Sequence, residues 1–193
     1  KKVDILINYL PVGSQLATEF YANCCLETGV SFLNCIPVFI ASNPIWEQKF
    51  IDAKIPIIGD DMKSQFGASI LSQMLQELAY DRGHHVKCHI QRNVGGNTDF
   101  LNMENKDRLA SKKISKENVI RSQNDIRGLP QENTFFHAGP SEYIRYYGDN
   151  KVANIHMEME GFMGAPVVLD AQLSVIDSPN SAGVVMDAIR YLM

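Results

Sequence analysis

Residues 3–14 read VDILINYLPVGS: Val3 to Tyr9 has five apolar or aromatic side chains in seven positions, and Leu10-Pro11-Val12-Gly13 then breaks the run before Ser14. A short apolar run closed by proline and glycine predicts a buried strand, because a strand covered on both faces shows no polar alternation. Ser14 is placed to cap a helix over 14–28, with Leu16, Phe20, Tyr21 and Cys24 on its core-facing side. Gly29 closes that helix. Outward from there, 31–36 predicts a second strand, 44–53 a second helix and 55–58 a third strand. Strand, helix, strand, helix, strand with short connections is the order of a parallel sheet with crossover helices. Functional groups in such sheets gather at the carboxyl ends of the strands. Here those ends are Asn8-Tyr9-Leu10-Pro11, Asn34-Cys35-Ile36-Pro37 and Gly59-Asp60-Asp61.

The pattern then changes. A helix is predicted over 64–81, stopped by Gly83, and an alternating strand over 85–94. A polar stretch occupies 95–131, with a basic knot at Ser111-Lys112-Lys113-Ile114-Ser115-Lys116. Strands over 151–160 and 167–176, joined by a Gly/Pro turn, predict an antiparallel pair. Ser178-Pro179-Asn180-Ser181 opens a final helix that runs to Arg190.

Composition is that of a soluble globular chain, with 45% hydrophobic and 21% charged residues. A net charge of −4, from 18 basic and 22 acidic side chains, argues against a nucleic-acid partner. No apolar run approaches the roughly 18 residues needed to span a bilayer, so no membrane partner is expected. Lys1-Lys2-Val3-Asp4 leads into no apolar cleavable segment, so no signal peptide is expected either. Cys24, Cys25, Cys35 and Cys88 match neither a zinc ribbon nor a redox pair. They are expected to be buried free thiols in a reducing compartment, which makes the expected location cytoplasmic.

Three segments could carry chemistry. Asp60 and Asp61 at a strand end could bond ribose hydroxyls or hold a lysine or a cation; equally, they could cap the following helix. Gly95-Gly96 could let backbone amides approach an anion, or simply make a tight turn. Lys112 and Lys116 are four apart, so on a helix both ammonium groups point one way. An anion such as a phosphorylated sugar would relieve their repulsion, although a solvated charged face gives the same pattern. The five histidines His84, His85, His89, His137 and His156 show no metal-ligand spacing and are expected at the surface or satisfied in the core. Glu158 and Glu160 are expected to face solvent. No GxGxxG fingerprint or P-loop occurs.

Taken in order, Asn8-Tyr9-Leu10-Pro11-Val12-Gly13-Ser14, Gly59-Asp60-Asp61-Met62-Lys63-Ser64-Gln65, Gly95-Gly96-Asn97-Thr98-Asp99-Phe100-Leu101-Asn102-Met103, the basic knot and Asp177-Ser178-Pro179-Asn180-Ser181-Ala182-Gly183 resemble the shorter, prokaryotic-type inositol-1-phosphate synthases. The resemblance runs from Val3 to Arg190. It implies an α/β protein: part of a Rossmann-like parallel sheet, then an α+β substrate and tetramerisation domain with a largely antiparallel sheet. The implied divisions are 1–62 for the NAD-binding part, 63–176 for the catalytic part and 177–193 for a helix returning to the first. The implied reaction is NAD-dependent isomerisation of D-glucose 6-phosphate to 1L-myo-inositol 1-phosphate, a step of inositol and phospholipid biosynthesis. By resemblance, Lys112, Lys116 and Lys151 are the lysines of the site, Asp99 orients one of them and Lys63 lies close by. Asn8, Leu10, Pro11, Gly13, Asp61, Asp177 and Ser178 border the cofactor NAD, and Asp177 or Asp61 could hold a divalent or monovalent cation. The implied partners are a small-molecule sugar phosphate and further copies of the chain in a homotetramer.

The family's glycine-rich NAD loop would precede Lys1, and a further site lysine would follow Tyr191-Leu192-Met193. This chain therefore resembles the family's middle portion, and alone it is expected to bind NAD poorly and turn over little. Two alternatives remain at this level. One is a different NAD-dependent dehydrogenase using Cys35 as nucleophile; the other is a non-catalytic assembly subunit of the same family.

Overall fold

The computed structural model describes residues 3–104, 121–130 and 134–193. The first sheet, sheet A, has strands β1 (Ile5–Asn8), β2 (Ser31–Asn34) and β3 (Ile57–Ile58), parallel and adjacent in that order. Helices α1 (Gln15–Thr28) and α2 (Pro44–Ala53) make the crossovers. Gly29, at φ 72°, turns the chain out of α1 as expected. Every residue of β2 is buried, as a parallel strand covered on both faces must be. On one face Phe32 packs with Ala22 and Cys25 of α1 and stacks on Phe50 of α2, ring centroids 6.3 Å apart. On the other, Leu33 meets Val185, Ala188 and Leu192 of the final helix, α5 (Asp177–Leu192).

The buried face of α1 differs from the predicted one. Thr18, Ala22 and Cys25 are buried, whereas Leu16 is 82% and Phe20 62% exposed. The helix carries apolar residues on most of its circumference, so periodicity does not choose a face. Small side chains at Thr18, Ala22 and Cys25 let the helix lie close to the sheet, and packing makes the choice.

Sheet B has β4 (His85–Gly95), β5 (Phe135–Tyr143), β6 (Asn150–Glu160) and β7 (Pro166–Ile176), in the order β5-β4-β6-β7. Both β4–β6 and β6–β7 are antiparallel, and β4–β5 is parallel. The predicted antiparallel pair is therefore present within a largely antiparallel sheet. Strand β5 was not predicted, because Gly139-Pro140 interrupts its alternation. Among the described residues it is an edge strand, where a proline lacking its N–H is tolerated. Helix α3 (Ala68–Asp81) starts later than predicted. Residues 64–67 are instead tied to α5: Asn180 accepts from the Gln65 and Phe66 amides at 2.9 and 3.2 Å and donates to the Phe66 carbonyl at 2.6 Å.

Helix α3 covers one face of sheet B through Ala79, packed with Val86, Ile155, Met157 and Met159. A polar chain runs through the same interface. His89 is fully buried; its Nδ1 donates to Gln76 Oε1 at 2.7 Å, and Gln76 Nε2 donates to Asn124 Oδ1 at 3.1 Å. Tyr80 also donates to Asn124. These bonds hold the helical residues 121–126 against α3. Among the described residues, the Nε2 of His89 has no hydrogen-bond partner. Burial pushes the His89 pKa from 6.5 down to about 4. The sign follows directly: between those values the unfolded chain binds a proton that the folded chain refuses, so stability falls as pH drops. The loss should approach about 1.4 kcal/mol per pH unit, near 3 kcal/mol by pH 4. Urea midpoints measured from pH 7 to 4 should show this slope, and His89→Gln should remove most of it.

Candidate active site

A cleft of about 400 Å³ opens where the carboxyl ends of β1 and β2 meet α5 and the ends of β6 and β7. Its lining includes apolar Leu10, Pro11, Val12 and Ile36. It also includes charged Asp61, Lys63, Asp99, Lys151 and Asp177, with Ser178. The cleft thus brings together eight predicted site residues: Leu10, Pro11, Asp61, Lys63, Asp99, Lys151, Asp177 and Ser178. Asn8 and Gly13 are not among its lining residues. Asn8 is buried, donates to Asn34 Oδ1 at 2.8 Å and accepts from the Leu10 amide at 3.1 Å, so it shapes the turn that presents Leu10 and Pro11. Gly13 sits in that turn at φ 89°. Lys112 and Lys116 lie outside the described residues.

Two of the charged lining residues form an ion pair. Lys151 Nζ lies 3.0 Å from Asp177 Oδ1, both side chains less than one-fifth exposed. Lys151 stands on β6 opposite Gly95 of β4 and Val175 of β7, and its ammonium is 5.8 Å from the centre of the Phe100 ring. Asp177 is the first residue of α5, where the helix dipole favours a carboxylate. Asn97 Nδ2 donates to Asp177 Oδ2 at 3.2 Å. Asn97 Oδ1 accepts from the Phe100 amide at 3.2 Å and so starts α4 (Thr98–Asn102), which carries Asp99 into the cleft.

At the two glycines before α4 the space a side chain would take is filled by protein. A Cβ on Gly95 would come within 2.5 Å of the Phe100 ring, and one on Gly96 within 2.5 Å of Gly148 N and Ile144 O. The adjacent aspartates also divide their duties. The carboxylate of Asp60 accepts from Asn34 Nδ2 at 2.7 Å, the Ile40, Ala41 and Ser42 amides at 2.9, 3.1 and 3.1 Å, and Ser42 Oγ at 2.8 Å. It fastens the β2–α2 loop and caps no helix, because α3 starts only at Ala68. Asp61 faces the cleft.

Tyr9 and Asn97 also line the cleft and were not singled out as site residues by sequence; Cys35, the candidate nucleophile of the alternative dehydrogenase, lines it too. Their signal was position at a strand end or beside the Gly-Gly pair. Burial pushes the Cys35 thiol up to about 11, and burial together with Cys35 raises Tyr9 to about 12. A thiol so far from ionising is a poor nucleophile at neutral pH, which removes the main support for a cysteine-dependent dehydrogenase. Among the described residues no group of three or more His, Cys, Asp or Glu is arranged to hold a metal ion.

Fold and cleft together define an α/β protein with a polar cleft at the ends of a parallel sheet, joined to a mostly antiparallel sheet. The chain belongs to the myo-inositol-1-phosphate synthase family, whose profile matches residues 67–178. It is similar to the inositol-3-phosphate synthase of Mycobacterium tuberculosis, with 49% identity over 189 residues, covering 98% of this chain and 51% of that protein. The inositol-3-phosphate synthase of Corynebacterium glutamicum is 46% identical over 192 residues, covering 98% of this chain and 53% of that protein. The chain therefore spans about half the length of the curated relatives it matches. Among solved structures it is similar to Ari2, with TM-score 0.77 and 34% identity, covering 97% of this chain and 50% of that one. It is also similar to a myo-inositol-1-phosphate synthase-related protein from Thermotoga maritima, with TM-score 0.78 and 27% identity, covering 97% and 54%.

Replacing Asp60 should open the loop beneath the cleft. Asp60→Ala strands the buried Ile40 and half-buried Ala41 amides and frees the exposed Ser42 amide, and a loss of about 3 kcal/mol is expected from the charged hydrogen bonds removed. Thermal unfolding should register this as a fall of several degrees in Tm, and wild-type stability would contradict it.

Proposed function

We propose that the protein carrying this chain is an NAD-dependent inositol-3-phosphate synthase that isomerises D-glucose 6-phosphate to 1L-myo-inositol 1-phosphate. One observation carries the proposal: Lys63, Asp99, Lys151 and Asp177, drawn from four separate segments, converge on a single cleft at the carboxyl ends of parallel strands. The cleft suits the pair of ligands. Apolar Leu10, Pro11, Val12 and Ile36 in its lining suit the flat face of a nicotinamide, and its charged residues suit a polyhydroxylated phosphate. NAD would be held beside Leu10, Pro11, Asp61 and Ser178 and would supply reversible hydride chemistry at C5 of the sugar, with no net oxidation over the reaction. Leu10 and Pro11 keep water from that exchange, and Asp61 and Ser178 offer polar contacts at its border.

The chain's own residues then serve the carbon–carbon step. Loss of a C6 proton leaves negative charge on the C5 oxygen, and ring closure moves negative charge to the C1 oxygen. Lys151, held by Asp177 in a partly dehydrated site, is placed to stabilise that charge. Asp99 orients a lysine, and Lys63, Lys112 and Lys116 supply the remaining cationic contacts, the last two also to the phosphate. We read 1–62 and 177–193 as the cofactor side and 63–176 as the substrate and assembly side. The open face of sheet B suits a homotetramer contact: Phe135, Val168 and Ile176 are 61%, 59% and 53% exposed. His156 stands among them, donating to Asp170 at 2.7 Å and Glu158 at 3.3 Å, and those bonds raise its pKa. Four free cysteines suit a cytoplasmic location.

The test is an assay of the complete protein with glucose 6-phosphate and NAD, following inositol phosphate. Turnover should appear, and Lys151→Ala should lower kcat by about a hundredfold. Turnover unaffected by Lys151→Ala would refute the assigned role. An assembled oligomer with no turnover would favour a non-catalytic assembly subunit.

A further inference from the structure

The open face of sheet B carries a charge cluster that takes no part in the cleft. On β6 the buried side chains of Ile155, Met157 and Met159 turn toward α3, so His156 and Glu158 between them turn outward. The register sets Asp170 of β7 beside His156 on one side and Ile90 of β4 on the other. His156 donates from Nδ1 to Asp170 Oδ1 at 2.7 Å and from Nε2 to Glu158 Oε1 at 3.3 Å. Both nitrogens donate only when the ring is charged. Among the described residues no other cation lies within ion-pair distance of Asp170 or Glu158. Glu160, the next outward acid on β6, has its own partner in Lys87 at 3.1 Å.

The other groups around His156 do not replace its charge. Toward β4, Cys88 lies opposite Glu158 and Arg92 opposite Asn154. Burial and Glu158 push the Cys88 thiol up, so it stays neutral. Toward β5, His137 stands beyond Ile90, one strand removed. Toward β7, Val168 and Gln172 flank Asp170. The bond to Asp170, and then the bond to Glu158, raises the His156 pKa above its ordinary 6.5. The sign follows: below the raised value the cluster carries one net negative charge, and as pH rises through it the proton leaves and the cluster carries two.

That difference matters most where the face meets a copy of itself. A two-fold contact sets the same patch on both sides, so its own charges face one another. Phe135, Val168 and Ile176 give the face an apolar component. Exposed Arg92 on β4 and the acids on β6 and β7 lie on different sides of it. A copy turned about an axis along the strands therefore lays each sign over the other. Loss of the imidazolium spoils that match, because two carboxylates per copy then enter a water-poor contact without a counter-charge.

We propose that His156 is a proton-operated switch of self-association: with its imidazole charged, the open face of sheet B closes on a second copy of the chain, and with it neutral the paired carboxylates of the two copies oppose that contact. The inference rests on the reading of this face as the assembly surface.

The test is sedimentation velocity of the complete protein over a concentration series, from about pH 6 to 9. The wild-type dissociation constant between copies should rise by about tenfold or more across that range. His156→Arg keeps the charge at every pH and should hold the low-pH affinity throughout. His156→Gln should show the high-pH affinity throughout, and if one variant does not fold, the other is judged by the same measure. Asp170→Asn removes the nearer carboxylate and should move the wild-type transition to lower pH. A wild-type oligomer indifferent to pH, or a pH dependence that persists in His156→Arg, would overturn the switch and leave the assembly reading standing. A wild type that is monomeric at every pH and concentration would overturn both.

Discussion

A parallel sheet has to be covered on both faces, and in this chain the second cover arrives last. Leu33 of β2 is buried against Val185, Ala188 and Leu192, which lie some 150 residues further along. Sheet A is thus incomplete until sheet B has formed and β7 has delivered α5 across it. The cleft is a consequence of that delivery. Where α5 begins, the carboxyl ends of β1 and β2 lie on one side and the ends of β6 and β7 on the other, so groups from both sheets share one space. Asp177, the first residue of α5, stands on the boundary and pairs across it with Lys151.

The polar groups around that boundary sort into those that hold the backbone and those that face the cleft. Asp60 spends its carboxylate on five donors of the β2–α2 loop, while Asp61, next in sequence, lines the cleft. Asn8 is consumed by Asn34 and the Leu10 amide. Lys151 and Asp177 are different: each is mostly buried, and their pairing offsets a desolvation that either alone would find costly. A partly buried pair of this kind adds little to stability but strongly specifies geometry.

Much of the fold was legible because it depends on local pattern. The apolar run 3–9, the Pro-Gly break and Gly29 mark β1, α1 and its end, and the alternation over 151–160 and 167–176 marks the β6–β7 hairpin. The site was legible in part, through the position of Leu10, Pro11 and Asp61 at strand ends and through the family resemblance for Asp99, Lys151 and Asp177. The buried face of α1 was not legible, because Leu16 and Phe20 fit the helical period as well as Ala22 and Cys25 do. Strand β5 was hidden by Gly139-Pro140, a break that only an edge position makes harmless.

The sequence by itself determined the order of most elements, the parallel first sheet, the antiparallel pair and the family, since each depends on short-range periodicity or on residue identity along the chain. Only the tertiary structure decided which carboxylates are structural and which face the cleft, and why Gly95 and Gly96 must lack side chains. Those outcomes depend on which atoms lie within about 3 Å across segments far apart in sequence. No local pattern encodes that distance, because it is set by how two sheets and one shared helix pack.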